Sequence, residues 1–107
     1  MSNRSNTVKS IKIRWTPTFK LWITGIRDVS TRVRLIRRLR KLQRGLYGDI
    51  ESVGSGVFEL REFFGPGWRM YYLERDENVV VMLAGGNKAS QVKDIAAAKA
   101  LALTIEE

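Results

Sequence analysis

The chain has 107 residues, with 19 Lys and Arg against 11 Asp and Glu, a formal net charge of +8, no cysteine and no histidine. That length suits one domain, 1–107, with a single modest core, and the charge points to a polyanionic partner, nucleic acid ahead of a membrane surface. Without cysteine there is no disulfide or thiolate metal site, without histidine the commonest general acid–base is missing, and the acids show no carboxylate-loop spacing, so neither metal nor cofactor is expected.

Residues 1–7 are polar and expected to fray. No apolar run approaches the roughly 18 residues of a membrane span, and the first ten residues lack the apolar centre of a secretion signal, so a cytoplasmic protein is expected. Residues 8–15 alternate as a strand with Ile11, Ile13 and Trp15 inward. Thr16-Pro17 then supplies an N-cap and a proline at the first helical position. Phe19, Trp22, Ile23 and Ile26 form the apolar stripe of a short helix ending near residues 25–27.

A second helix is expected from Asp28 or Ser30 to Arg44, stopped by Gly45, with Val29, Val33, Ile36, Leu39 and Leu42 as its apolar stripe. Arg32, Arg34, Arg37, Arg38, Arg40, Lys41 and Arg44 cover the remainder, and no acid lies between Val29 and Gly48. Like charges at that spacing repel. The helix therefore reads as a polyanion contact, against the alternative of a solvated face whose long side chains cover apolar surface.

Residues 45–56 carry four glycines and read as a mobile connector. Residues 56–73 then read as two strands joined by a Gly65-Pro66-Gly67 turn. Pairing backwards from Phe64 and Trp68 sets Arg61 opposite Tyr71 and Phe63 opposite Arg69. Alternation places Glu59, Arg61, Arg69 and Tyr71 on one face. Two guanidiniums, a carboxylate and a phenol together suit a phosphate; cross-strand ion pairs on a solvated sheet face are the alternative.

Residues 79–84 are apolar on both faces, as in a doubly covered central strand. A Gly85-Gly86-Asn87 break follows, and an Ala-rich helix over 92–105 either packs on the sheet or awaits another chain. The expected architecture is α+β, in the order β-α-α-β-β-β-α, with a mainly antiparallel sheet and the first two helices on one face.

Taken in order, Phe19-x-x-Trp22, the basic helix ending in Arg44-Gly45, Glu59-Leu60-Arg61, Gly65-Pro66-Gly67-Trp68-Arg69 and Gly85-Gly86-Asn87-Lys88 resemble the phage-derived addiction-module killer proteins, HigB-like members of the RelE/ParE toxin superfamily. The likeness covers 8–103. It implies a RelE-like fold and a toxin of a type II toxin–antitoxin module, with a cognate antitoxin protein as partner in a hetero-oligomer. RelE- and HigB-like members of the superfamily cut messenger RNA on the ribosome without a metal, whereas ParE-like members poison DNA gyrase. A non-catalytic RNA-binding module is a third alternative.

By this resemblance Arg69 matches the residue that holds the scissile phosphate, Arg61 the arginine of the preceding strand, and Lys88 the basic residue after the last strand. Glu59 stands where RelE has lysine, and the tyrosine that RelE uses has no counterpart near Asp94. For the chemistry, Arg61 and Arg69 would clamp the phosphate, with Glu59 as base and Lys88 as acid or point charge, and the ribosome completing the site. RNA or ribosome contact is expected at Arg34, Arg37, Arg38, Arg40, Lys41 and Arg44. Tyr71 is expected to contact RNA as a stacking surface for a base, with a place in the core as the alternative, and Tyr72, on the opposite face, is expected in the core.

Overall fold

Thr16 caps the first helix as its sequence requires: its hydroxyl accepts the Phe19 amide at 3.0 Å and donates to the Leu83 carbonyl at 2.9 Å, fixing the helix on the sheet at the same time. A computed structural model describes residues 10–105. The expectations for 1–7 and for the first two residues of the 8–15 strand fall outside them.

The order is β1 (Lys12–Trp15), α1 (Pro17–Thr24), α2 (Val29–Gln43), β2 (Ile50–Gly54), β3 (Val57–Arg61), β4 (Trp68–Asp76), β5 (Val79–Asn87), a 3₁₀ turn (Lys88–Ser90) and α3 (Gln91–Ala102). The strands form one sheet in the order β1-β5-β4-β3-β2, with β1 parallel to β5 and every other pair antiparallel. Helices α1 and α2 cover one face, where Phe19, Ile23, Leu35, Leu39 and Leu42 pack on Leu60, Met70, Tyr72, Val80 and Met82. Helix α3 covers the other, where Ala98 and Ile95 pack on Val57, Tyr71, Val81 and Leu83. The C-terminal helix thus completes a second core layer.

Four expectations need correction. Ile50–Gly54 within the supposed connector is a strand paired with β3, because the glycines fall around the turns and leave Ile-Glu-Ser-Val free to extend. Trp15 is exposed at the sheet edge; α1 covers its ring from one side, through Phe19 at a centroid distance of 5.2 Å. In α2 the buried stripe is Leu35, Arg38, Leu39 and Leu42, while Val29 and Val33 face outward. The helix is rotated from its expected setting so that one arginine points in.

The fourth concerns Gly85 and Gly86, which continue β5 and do not break it. A β-carbon on Gly85 would lie 2.4 Å from the Trp22 ring, and one on Gly86 would lie 1.8 Å from the Asp94 carboxylate. Small residues here let α1 and α3 approach the sheet from opposite sides. Gly85→Ala is expected to displace the Trp22 ring at a cost of about 1–3 kcal/mol, the usual penalty of overpacking. A lowered midpoint in urea denaturation with an unchanged slope is the expected readout.

Candidate functional site

The β3–β4 hairpin pairs Val57 with Leu73, Glu59 with Tyr71 and Arg61 with Arg69. The register is therefore two residues away from the one expected, because the strands stop at the Glu62 amide to Trp68 carbonyl bond (2.9 Å) and leave 63–67 as the loop, closed by Gly67 N–H to the Phe64 carbonyl (3.1 Å). A slip of one residue would have turned every side chain over; a slip of two preserves the faces. Glu59, Arg61, Arg69 and Tyr71 do lie on one face, and the two arginines are direct cross-strand neighbours.

Arg69 is nearly buried and tightly held. Its Nη1 donates to the carbonyls of Glu62 and Trp68, both at 3.2 Å, and its Nε lies 3.9 Å from the Glu59 carboxylate. Among the described residues Nε has no hydrogen-bond partner. Arg61 is more open, paired with Glu51 at 3.0 Å and Asp49 at 3.7 Å. Exposed pairs of this kind are held by about 0–1 kcal/mol, so an arriving phosphate can displace them.

These two arginines and Lys88 line a single open cleft of about 380 Å³, with the Gly65-Pro66-Gly67 turn as its rim and Phe63 and Gln91 on its walls. Among the described residues no carboxylate contributes to its lining. Lys88 is placed by the 3₁₀ turn, which Asn87 and Ser90 cap reciprocally, the Asn87 side chain accepting the Ser90 amide at 3.2 Å and Ser90 Oγ accepting the Asn87 amide at 3.3 Å. The Lys88 amide reaches the Pro66 carbonyl at 3.4 Å, joining the two sides of the cleft. Three cations presented to one cleft, with the carboxylates of Glu51, Asp49 and Glu59 that accompany the arginines lying outside its lining, favour a multivalent anion.

Glu59 lies beneath this cleft and not in it. It is 1% exposed, accepting the Tyr71 hydroxyl and Gln91 Nε2, both at 2.9 Å. That placement does not suit a base that must touch a ribose hydroxyl; it suits a carboxylate that supports Arg69. Tyr71 is fully buried under α3, so its expected stacking role is withdrawn. Burial and the Glu59 carboxylate push its phenol well above the ordinary tyrosine range, which keeps it a proton donor to Glu59. Tyr72 is core on the opposite face.

The basic helix divides. Arg34, Arg37, Arg40, Lys41 and Arg44 are exposed, and Arg34 lies 3.6 Å over the Phe64 ring. Arg38 is 9% exposed and leaves the expected RNA-contact set. Its Nη2 donates to the carbonyls of Tyr47 (2.9 Å) and Asp49 (2.8 Å), and its Nη1 to the carbonyl of Arg61 (2.8 Å) and to the Glu62 carboxylate. The sequence reading missed Phe63 and Gln91 as cleft residues. The signal for Phe63 was its position between Arg61 and the glycine turn; Gln91 offered none, since its approach depends on how α3 docks.

Among the described residues no three His, Cys, Asp or Glu side chains group to hold a metal ion, and no helix is long and apolar enough to cross a membrane. The architecture is that of RelE-like toxins. The chain is similar to a chain of the toxin–antitoxin complex RelBE2 of Mycobacterium tuberculosis, with a TM-score of 0.62, 18% identity, and 79% of this chain and 99% of that one covered. It is equally similar to a mutant of Escherichia coli toxin RelE in the free state, at TM-score 0.62 and 15% identity over 90% of this chain and 99% of that one. A conserved hypothetical protein of Helicobacter pylori gives 0.51 at 20% identity, over 74% of this chain and 96% of that one. In sequence, the chain is 40% identical over 93 residues to an uncharacterized protein of Haemophilus influenzae, 87% of this chain and 94% of that protein, and belongs to the same family. No family model matches it.

Proposed function

We propose that this protein is the toxin of a type II toxin–antitoxin module, of the HigB-like kind, and that it cleaves messenger RNA on the ribosome without a metal. The observation that carries the reading is the convergence of Arg61, Arg69 and Lys88 on one cleft to whose lining the described residues contribute no acid. In such a cleavage the ribose 2′-hydroxyl attacks the adjacent phosphorus, and charge builds on the nonbridging and leaving oxygens. Arg61 and Arg69 act on the nonbridging oxygens, and Lys88 faces the leaving oxygen as a point charge. Glu59 supports Arg69 from below. The proton acceptor is left to the ribosome or to the RNA, and alignment of the strand for in-line attack supplies much of the acceleration.

The exposed cations of α2 add sequence-independent affinity for ribosomal RNA. The likeness to the RelBE2 complex supports a cognate antitoxin protein as partner, and an acidic surface on that partner would complement this charge.

The test is controlled expression in a bacterium, with messenger 5′ ends mapped genome-wide. The expected result is new ends within translated regions that disappear when initiation is blocked. Growth arrest with intact messages and induction of DNA-damage signalling would transfer the protein to gyrase inhibition, and binding without arrest would make it an RNA-binding module.

A further inference from the structure

Phe63 is 69% exposed, an apolar side chain presented to solvent from the 63–67 loop at the wall of the cationic cleft. Its neighbour Phe64 turns the other way, packing against the core with the Arg34 guanidinium laid over it. One loop thus packs one phenyl ring against the core and leaves the ring before it bare. The bare ring stands between the two phosphate-directed arginines, its centroid 5.8 Å from Arg61 Cζ and 5.7 Å from Arg69 Cζ, within the range of cation–π attraction.

We propose that Phe63 is a stacking platform for a nucleobase of single-stranded RNA, the base that flanks the phosphate held by Arg61 and Arg69. This rests on the reading of the cleft as an RNA site and adds a base-binding subsite to it. Among the described residues no other aromatic side chain lines the cleft; Tyr71 and Tyr72 are buried, and Trp68 is packed against Trp22 at 6.1 Å. A phenyl ring carries no donor or acceptor, so the contact uses the face that every base possesses and tolerates all four. Stacking also desolvates the guanidiniums beside the ring, which strengthens their grip on the phosphate. Single-stranded segments with splayed bases are the RNA form that such a platform can take.

The experiment compares wild type, Phe63→Leu and Phe63→Trp for binding of a short single-stranded oligoribonucleotide and of an abasic phosphodiester of the same length. Because Phe63 is exposed, none of these changes touches the core. Phe63→Leu is expected to bind the base-bearing oligomer about 10- to 100-fold more weakly, with its affinity for the abasic oligomer unchanged. Phe63→Trp is expected to retain affinity and to lose indole fluorescence on binding the base-bearing oligomer alone. Equal binding of the two oligomers by wild type, binding of neither, or wild-type affinity in Phe63→Leu would overturn the proposal. Base-dependent binding by a protein that leaves messages uncut on ribosomes would overturn the nuclease reading and leave the platform standing.

Discussion

Replacing Arg69 with alanine is expected to lower the rate of ribosome-dependent cleavage by on the order of 10²- to 10³-fold, the usual effect of removing one preorganised donor from a developing oxyanion. The size follows from how the side chain is held. It is nearly buried, its Nη1 is fixed by two carbonyls and its Nε faces Glu59, so little reorganisation is needed as charge builds on the phosphate. Arg69→Lys is expected to recover little, because a single ammonium cannot fill the carbonyl cradle that Nη1 occupies and at the same time present a second nitrogen to the phosphate. The measurement is single-turnover cleavage of message on programmed ribosomes, normalised to folded protein by circular dichroism. Normalisation matters, since losing Arg69 also strips the buried Glu59 carboxylate of its nearest cation. A folded Arg69→Ala protein with an undiminished rate would remove this residue from the phosphate contact.

The largest stability effect is expected at Arg38. Truncation to alanine removes the donor to the carbonyls of Tyr47 and Arg61 and to the Glu62 carboxylate, and leaves the Asp49 carbonyl with only the Arg61 amide, at the junction of α2, the 45–49 segment and β3. Breaking a buried charged network by removing one partner costs about 3–5 kcal/mol, a large share of the roughly 5–15 kcal/mol that holds a domain together. At this chain length the melting temperature should fall by about 12 °C or more. Arg37, one position earlier and exposed, is the control: Arg37→Ala should stay within about 0.5 kcal/mol of wild type. Calorimetric melts of the two variants decide the matter, and equal melting temperatures would show that the Arg38 network contributes nothing.

Arg38 also bears on the site. It fixes the Arg61 carbonyl and the Glu62 side chain, and the Glu62 carbonyl in turn accepts from Arg69. The basic helix is thereby tied to the backbone that aims both cleft arginines. Of the cations in this helix, some face solvent and at least this one builds the scaffold of the cleft.

Much of the architecture was written in local chemistry. Thr16-Pro17 opens α1 as expected, and of the two starts expected for α2, Asp28 and Ser30, it is Asp28 that caps it; Asp28 accepts the Thr31 amide at 3.1 Å, and the hydrogen bonds from Thr31 and Ser30 hold its carboxyl below the usual range. Such signals are legible because cap, proline and glycine act within one turn of chain. The hairpin and the shared face of Glu59, Arg61, Arg69 and Tyr71 were equally legible, since alternation is a property of any extended strand.

The sequence by itself thus determined the three helices, the hairpin, the capped helix starts and the side of the sheet on which the two arginines meet. The tertiary structure alone decided that Ile50–Gly54 joins the sheet, that the hairpin register shifts by two, that Arg38 turns inward, that Glu59 and Tyr71 vanish beneath α3, and that Phe63 stays bare. The physical reason is range. Dihedral preference and side-chain period act over a few residues, whereas burial depends on which distant element lies over a face, and α3 reaches Glu59 and Tyr71 across more than thirty and twenty positions of chain through Gln91 and Ala98 respectively.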